Sequence, residues 1–224
     1  MRGLVRPVLL LAWKDLLLEL RTRDIVSSVL VFGVLVVVIF NFALKVTPSQ
    51  VDQLAPGILW VAFAFAGILA MNRAFVLEKD RGSLEGLLLL PVSRDALYFG
   101  KLLGTFLFML AVEAVLLPVF IVLLNFAGFS GGLALAILLA TLGFAAVGTL
   151  FSAIAVHTRS REIMLPVLFF PVVVPVVIAA VEASKAAIGA GGMVEYGRWL
   201  GLLGAFDAIF LVICPWVFGL ILEE

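Results

Sequence analysis

Six long apolar runs limit what this chain can fold into. They cover, approximately, residues 25–44, 56–77, 97–124, 133–156, 163–181 and 199–222. An α-helix needs about 20 apolar residues to cross the hydrocarbon core of a bilayer. Backbone polar groups in lipid must be hydrogen-bonded within the segment, and these runs are continuous rather than alternating, so helices are favoured over a β-barrel. The sequence predicts an all-α polytopic membrane protein with six transmembrane helices.

The composition agrees with this class and excludes several others. Residues of the types AVILMFWYC make up 64% of the 224 residues, and charged residues make up 13%. A soluble domain is usually about 45–50% apolar and about 25% charged. The 15 basic and 15 acidic residues balance, so no nucleic-acid partner is expected. The single cysteine excludes a disulfide framework and a cysteine-based metal site within the chain.

The distribution of Lys and Arg predicts how the spans are oriented. These residues concentrate before the first span, after the second and after the fourth, whereas the other connections hold few of them. Connections rich in Lys and Arg stay on the cytoplasmic side. We therefore expect both termini in the cytoplasm. This agrees with the even number of spans, which places both termini on the same side of the membrane.

Residues 1–24 precede the spans and have an amphipathic pattern. On a helical wheel, one side is polar and the opposite side is apolar. The polar side consists of Lys14, Asp15, Glu19, Thr22 and Arg23. The apolar side consists of Leu9, Trp13, Leu16, Leu17 and Leu20. This pattern indicates a helix in the membrane interface rather than a cleaved signal peptide. The alternative is a simple anchor at the start of the first span.

The longest connection between spans, residues 78–96, has the pattern of a docking segment. A charged cluster is followed by Gly-Ser, a run of leucines and a proline; its candidate contact residues are Glu78, Lys79, Asp80, Arg81, Gly82, Ser83, Leu84, Glu85, Gly86 and Pro91. Ser83 can cap a short helix that Pro91 ends. Such a helix suits the groove of a partner protein. The alternative is a solvated or interfacial loop.

Two carboxyl side chains, Glu113 and Asp207, lie inside predicted spans. Ionisable groups in a membrane are costly and usually face the interior of the bundle, so they are candidates for function. Neither has an evident Lys or Arg partner at its depth. They are expected either to carry a proton or to be hydrogen-bonded, and a transport role and a role in helix association both stay open.

Prolines mark two further candidate sites. The fifth span holds Pro166, Pro171 and Pro175, each of which removes a helical hydrogen bond, so this span is expected to be kinked. It is either a static kink or a moving helix that lines a pathway. Pro56, Gly57 and Trp60 form the expected outer entrance of the second span, with Trp60 in the aromatic belt.

Catalytic motifs are absent or unsuitable. The chain has no G-x-x-x-x-G-K-[ST] segment for binding nucleotide phosphates. Residues 128–132 match G-x-S-x-G, but this segment is expected to be a turn between two spans, and the only histidine, His157, belongs to the opposite membrane face. A lone histidine is a poor metal site. We therefore do not expect this chain to be an enzyme or to bind a metal.

Taken together, these residues resemble the CcmB family, the haem exporter proteins B of cytochrome c maturation. The resemblance runs along essentially the whole chain. It is carried by residues 55–62 (APGILWVA), 80–87 (DRGSLEGL), 90–93 (LPVS), Lys101, 171–175 (PVVVP) and 204–210 (GAFDAIF). The G-S-L-E element alone resembles the cytoplasmic coupling loop of many ABC exporter permeases.

The resemblance implies a permease subunit of an ABC-type complex in the bacterial inner membrane. Its ATPase subunit would be CcmA-like and would bind ATP and Mg²⁺. CcmC-like and CcmD-like proteins would complete the assembly, and haem would be delivered to a CcmE-like periplasmic chaperone. The resemblance also implies two copies of this chain per complex and an ATPase contact at residues 78–91. Haem would be a transported or handled ligand rather than a cofactor of this chain.

Two alternatives stay open on the sequence. One is the permease of a general ABC exporter for lipids or drugs, and the other is a membrane scaffold subunit without a pathway. In a scaffold, neutralising Glu113 and Asp207 should have no effect on function.

Overall fold

A computed structural model describes residues 2–21, 23–44, 50–74, 93–156, 161–190 and 192–221. In these residues the chain forms helices and connections, without strands. In chain order the helices are α1 (Arg2–Arg21), α2 (Arg23–Leu44), α3 (Val51–Ala74), α4 (Arg94–Leu124), α5 (Gly131–Val156), α6 (Arg161–Lys185) and α7 (Met193–Ile221). A π-helical turn, Ala186–Ala190, follows α6.

Six of these helices, α2 to α7, are long and apolar enough to cross a membrane. The predicted all-α polytopic fold with a helix before the spans is therefore confirmed. Several helices are longer than the apolar runs: α3 begins at Val51, before the run that starts at residue 56, and α7 begins at Met193. Polar residues at the membrane surface can continue a helix because water or neighbouring groups satisfy its ends. The interfacial position of α1 and the side of the termini stay predictions.

Local capping explains where α4 and α5 begin and end. Ser93 precedes α4, and its hydroxyl accepts a hydrogen bond from the Ala96 backbone N–H at 3.3 Å. Asn125 ends α4 in the left-handed conformation, with φ of 51°. Ser130 caps α5 through the Leu133 N–H at 3.1 Å. Residues 126–130 are non-helical, so the first three residues of the G-x-S-x-G segment belong to the predicted turn, whereas Gly131 and Gly132 begin α5.

Helix α5 is the centre of the bundle, in contact with α3, α4, α6 and α7. Its buried face is rich in small residues, among them Ala136, Ala140 and Ala145. Small residues allow helix backbones to approach closely in a membrane bundle, where apolar burial gives no preference between lipid and protein. Helices α2 and α7 lie further out and expose wide apolar surfaces, as expected of lipid-facing helices.

The buried apolar residues form two clusters. The larger one lies among α2 to α7. The second cluster lies where the first turns of α4 meet α1, α5 and α7; it consists of Leu11, Leu97, Tyr98, Leu102, Ala146, Leu150, Ala153, Cys214 and Phe218. The second cluster therefore joins α1 to the transmembrane bundle.

Candidate functional site

Glu113 projects from α4 towards the central helix. Its side chain is 4% exposed, and the Thr141 hydroxyl of α5 donates to the carboxyl, with 2.9 Å from Oγ1 to each of Oε1 and Oε2. The same carboxyl lines a narrow crevice between α3 and α4, opposite Phe63 and Gly67. The hydrogen bond from Thr141 is one of the two arrangements that the sequence left open, and whether the carboxyl also carries a proton stays a prediction.

Asp207 projects from α7 towards the other side of α5. It is 5% exposed, and neither carboxyl oxygen has a hydrogen-bond partner among the described residues. The carboxyl lies close to the α5 backbone, because a Cβ atom at Gly143 of α5 would lie 2.8 Å from Asp207 Oδ1. Unlike Glu113, Asp207 is a buried polar group without a donor among the described residues, which keeps it a candidate for function.

Both carboxyls lie near the middle of the central helix but on different sides of it. Their neighbours on α5, Thr141 and Gly143, are two residues apart. This separation corresponds to about 3 Å along a helix and about 200° around it. The bundle thus carries two separate carboxyl sites at one depth, rather than a pair that shares a proton.

Trp60 lies in the protein core, so the prediction that it sits in a lipid-facing aromatic belt is wrong. It is 0% exposed and packs against Phe63 and Phe144 with ring centroids 5.7 and 6.1 Å away. Its indole N–H donates to Ser184 Oγ of α6 at 2.9 Å. Because α3 begins at Val51, Trp60 is more than two turns inside the helix, where a buried indole needs a protein acceptor.

The two residues predicted beside Trp60 at the entrance of the second span are also inside α3. Pro56 is buried within the helix, and Gly57 is half-buried with no atom within 4 Å of a Cβ placed there. The structure therefore places all three residues in α3, and their role at an entrance stays a prediction.

Helix α6 continues through its three prolines. Pro171 and Pro175 lie on its exposed side, next to the exposed Val174 and Ile178, whereas Pro166 is half-buried. Within this chain the two prolines therefore face outward rather than line an internal pathway. The hypothesis that α6 bends during function stays a prediction.

An ion pair between α1 and α4 was missed by the sequence analysis. Lys101 Nζ lies 2.9 Å from Asp15 Oδ2, and Lys14 Nζ lies 3.0 Å from Asp15 Oδ1. The sequence did contain a signal, since Lys101 stands near the start of an apolar run and Asp15 stands in an amphipathic helix before the first span. A charged residue that enters a span needs a partner, and an acidic residue of the amphipathic helix was a candidate for it.

The predicted docking segment lies almost wholly outside the described residues. This applies to every candidate contact residue between Glu78 and Pro91. His157 also lies outside them. Cys214 is buried in the second cluster. Among the described residues, no three His, Cys, Asp or Glu side chains are grouped as a metal site would need.

Comparisons with known proteins agree along nearly the full chain. Residues 6–223 match the family model described as CcmB protein. The chain is 30% identical over 206 residues to heme exporter protein B of Bradyrhizobium diazoefficiens, with 90% of each chain covered. It is 28% identical to the protein of that name from Haemophilus influenzae, again with 90% of each covered. The Pseudomonas aeruginosa protein of that name is 28% identical, with 92% of each covered.

Proposed function

Because the chain belongs to the CcmB family, we propose that it is the transmembrane permease subunit of an ABC-type complex for haem delivery to the periplasm. The complex serves c-type cytochrome maturation, and a separate, CcmA-like subunit hydrolyses ATP. The observation that carries this proposal is the family match over residues 6–223. Relatives named heme exporter protein B, matched over 90% of both chains, support the assignment of haem as the cargo.

The sequence and the helices support the proposal that one subunit spans the membrane and another hydrolyses ATP. Its sequence contains no phosphate-binding P-loop, and six of its helices can span a membrane. In the proposed complex this chain supplies the bundle in the inner membrane, while the ATPase binds on the cytoplasmic side at residues 78–91. CcmC-like and CcmD-like proteins and a CcmE-like chaperone are the further partners, and two copies of this chain are expected.

The proposed mechanism is a movement of helices driven from the cytoplasmic side. Closure of two ATPase subunits presses on the segment that precedes α4, and α4 passes the movement to the bundle as a rigid element. The buried carboxyls Glu113 and Asp207 border α5, so a shift of α4 or α7 against α5 changes their surroundings. This movement is coupled either to export of haem or to release of the loaded chaperone.

The test is purification of the chain from its native membrane in mild detergent, with partners identified and haem absorbance and ATPase activity recorded. A strain that lacks the gene is examined for c-type cytochromes in parallel. We expect an ATPase and haem-handling proteins to co-purify, and c-type cytochromes to be lost in the deletion strain. An ATPase without haem-handling partners, combined with normal cytochromes, would instead indicate a general exporter.

A further inference from the structure

The first turns of α4 are attached to three other helices by polar contacts. Arg94 Nη1 donates to the Gly219 carbonyl of α7 at 3.1 Å. The Tyr98 hydroxyl donates to the Ala146 carbonyl of α5 at 2.9 Å. Lys101 forms the ion pair with Asp15 of α1 at 2.9 Å. The start of α4 therefore has a direct polar contact with each of α7, α5 and α1.

The contact between α1 and α4 is unusually close because two glycines of α4 face α1. A Cβ atom at Gly100 would lie 2.7 Å from Leu11 Cβ, and one at Gly104 would lie 3.2 Å from Asp15 Cβ. The two glycines are four residues apart, and their neighbours on α1, Leu11 and Asp15, are also four residues apart. The two helices therefore pack backbone to backbone over one turn, in a register that a shift of α1 would destroy.

The ion pair sits within this close contact and is shielded from solvent. The Lys101 side chain is 4% exposed and the Asp15 side chain 12%. A buried ion pair seldom stabilises a fold more than well-packed apolar residues would, but it can specify one register among several. Leu11 and Ala12 beside it are also buried, so the ion pair adds a charged contact to a register that the close packing already defines.

We propose that Asp15 and Lys101 are a positioning pair that makes α1 move together with α4 when a partner acts on residues 78–91. The proposal rests on the proposed function, because it assigns the ATPase as that partner. The segment immediately precedes α4, so a force on it reaches Lys101 within a few turns of helix. The ion pair then carries the same movement into α1.

Three sets of variants test this proposal in the complete complex. Asp15→Leu with Lys101→Met removes both charges and keeps an apolar contact. Asp15→Lys with Lys101→Asp, built together with Lys14→Met, exchanges the charges without placing two ammonium groups side by side. Lys14→Met alone is the matched control, because Lys14 contacts the same carboxylate from within α1.

Each variant is measured for ATPase co-purification and for the yield of c-type cytochromes. For the apolar pair we expect normal association, with a cytochrome yield lower by about fivefold or more, the lower end of coupling between protein sites. The charge exchange should recover the yield of the Lys14→Met control. Full yield in the apolar pair, or no recovery in the charge exchange, would overturn the proposal. A loss of both association and yield in the apolar pair would also overturn it, since it indicates a purely structural role.

A second measurement tests the packing independently of the ATPase. A Cβ atom at Gly100 would lie 2.7 Å from Leu11 Cβ, so these two positions face each other across the contact. In a Cys214→Ala background, Leu11→Cys with Gly100→Cys should therefore form a disulfide on mild oxidation of membranes, once the helices separate to the Cβ–Cβ distance of about 3.8 Å that a disulfide needs. Failure of this cross-link would refute the α1–α4 register and with it this inference. A cross-link in a chain that co-purifies with no ATPase would refute the proposed function while leaving the register intact.

Discussion

Two threonines of α5 allow the hydrogen bond to Glu113 to be measured. Thr141 donates to the Glu113 carboxyl, whereas the Thr149 hydroxyl is buried without a partner in the described part of the chain. Removing the donor from a buried carboxyl leaves that group unsatisfied, but removing an unpartnered hydroxyl does not. The two positions differ in this respect although both lie on one helix.

We expect Thr141→Val to lower the free energy of unfolding by about 1–3 kcal/mol, the cost of leaving a buried polar group unsatisfied. Thr149→Val is the control and should leave stability unchanged or raise it slightly. The measurement is thermal or denaturant unfolding of the purified chain in detergent. Equal effects of the two substitutions would contradict the assigned role of Thr141.

Asp207, the second buried carboxyl, leads to a prediction about steric space at Gly143 rather than about a hydrogen bond. In Gly143→Ala the new Cβ would lie 2.8 Å from Asp207 Oδ1 and 3.2 Å from Phe206 Cδ1, so either these side chains or the two helices must move. We expect a loss of about 1–3 kcal/mol in the free energy of unfolding, typical of overpacking. Adding Asp207→Ala should recover part of this loss, because it removes the atom in closest contact.

Gly204→Ala of α7 is the matched control for this prediction. A Cβ atom at Gly204 would meet nothing within 4 Å. Replacing a helical glycine by alanine in open space should raise stability by up to about 1 kcal/mol. Additive effects of Gly143→Ala and Asp207→Ala in the double variant would show that the two positions do not interact.

At the scale of helices, α6 combines prolines on its exposed side with a tightly buried opposite side. Leu165, Phe169 and Val173 are 0% exposed, whereas Pro171 and Pro175 face outward. A proline removes the hydrogen bond to the carbonyl four residues before it, which makes bending easier at that point. The buried side packs α6 against α5, and the missing hydrogen bonds make bending towards or away from the exposed side easier.

If bending of α6 is part of the proposed mechanism, Pro171→Ala with Pro175→Ala should lower the yield of c-type cytochromes without destabilising the bundle. Both substitutions restore a backbone N–H, so the helix becomes stiffer. Val174→Ala, on the same exposed side, changes the surface without changing backbone hydrogen bonding and serves as the control. An unchanged cytochrome yield in the proline variant would favour a static kink.

At the scale of the whole molecule, α2 and α7 present wide apolar surfaces to their surroundings. The exposed residues on α2 include Val31 and Phe42, and those on α7 include Val212 and Trp216. Lipid covers such surfaces in a membrane, so the presence of a second copy stays a prediction. Docking of the ATPase at residues 78–91 is open to a direct test.

We expect Arg81→Ala with Glu85→Ala to reduce the amount of ATPase that co-purifies with the chain, because a charged docking segment loses its complementary pairs. The unfolding midpoint of the bundle should stay unchanged. Lys185→Ala is the control. Lys185 is the last residue of α6, and its Nζ lies 2.7 Å from Glu182 Oε1. Undiminished co-purification would argue against an ATPase contact at this segment.

The sequence by itself determined the helices of this protein. A backbone in lipid must satisfy its hydrogen bonds locally, so the length and hydropathy of each run suffice to predict a spanning helix. The amphipathic pattern of residues 1–24 predicted the additional helix α1 for the same local reason. The resemblance carried by short motifs also indicated the family, which the match over residues 6–223 established.

Only the tertiary structure decided which side chains meet. Trp60 looked like a lipid-facing residue at a helix end, but the early start of α3 and the hydroxyl of Ser184 bring it into the core. Glu113 and Asp207 looked alike, yet Thr141 faces only the first of them. Asp15 and Lys101 lie 86 positions apart in the sequence and 2.9 Å apart in space. Such contacts depend on how whole helices rotate and pack against each other, which the pattern within a single helix does not specify.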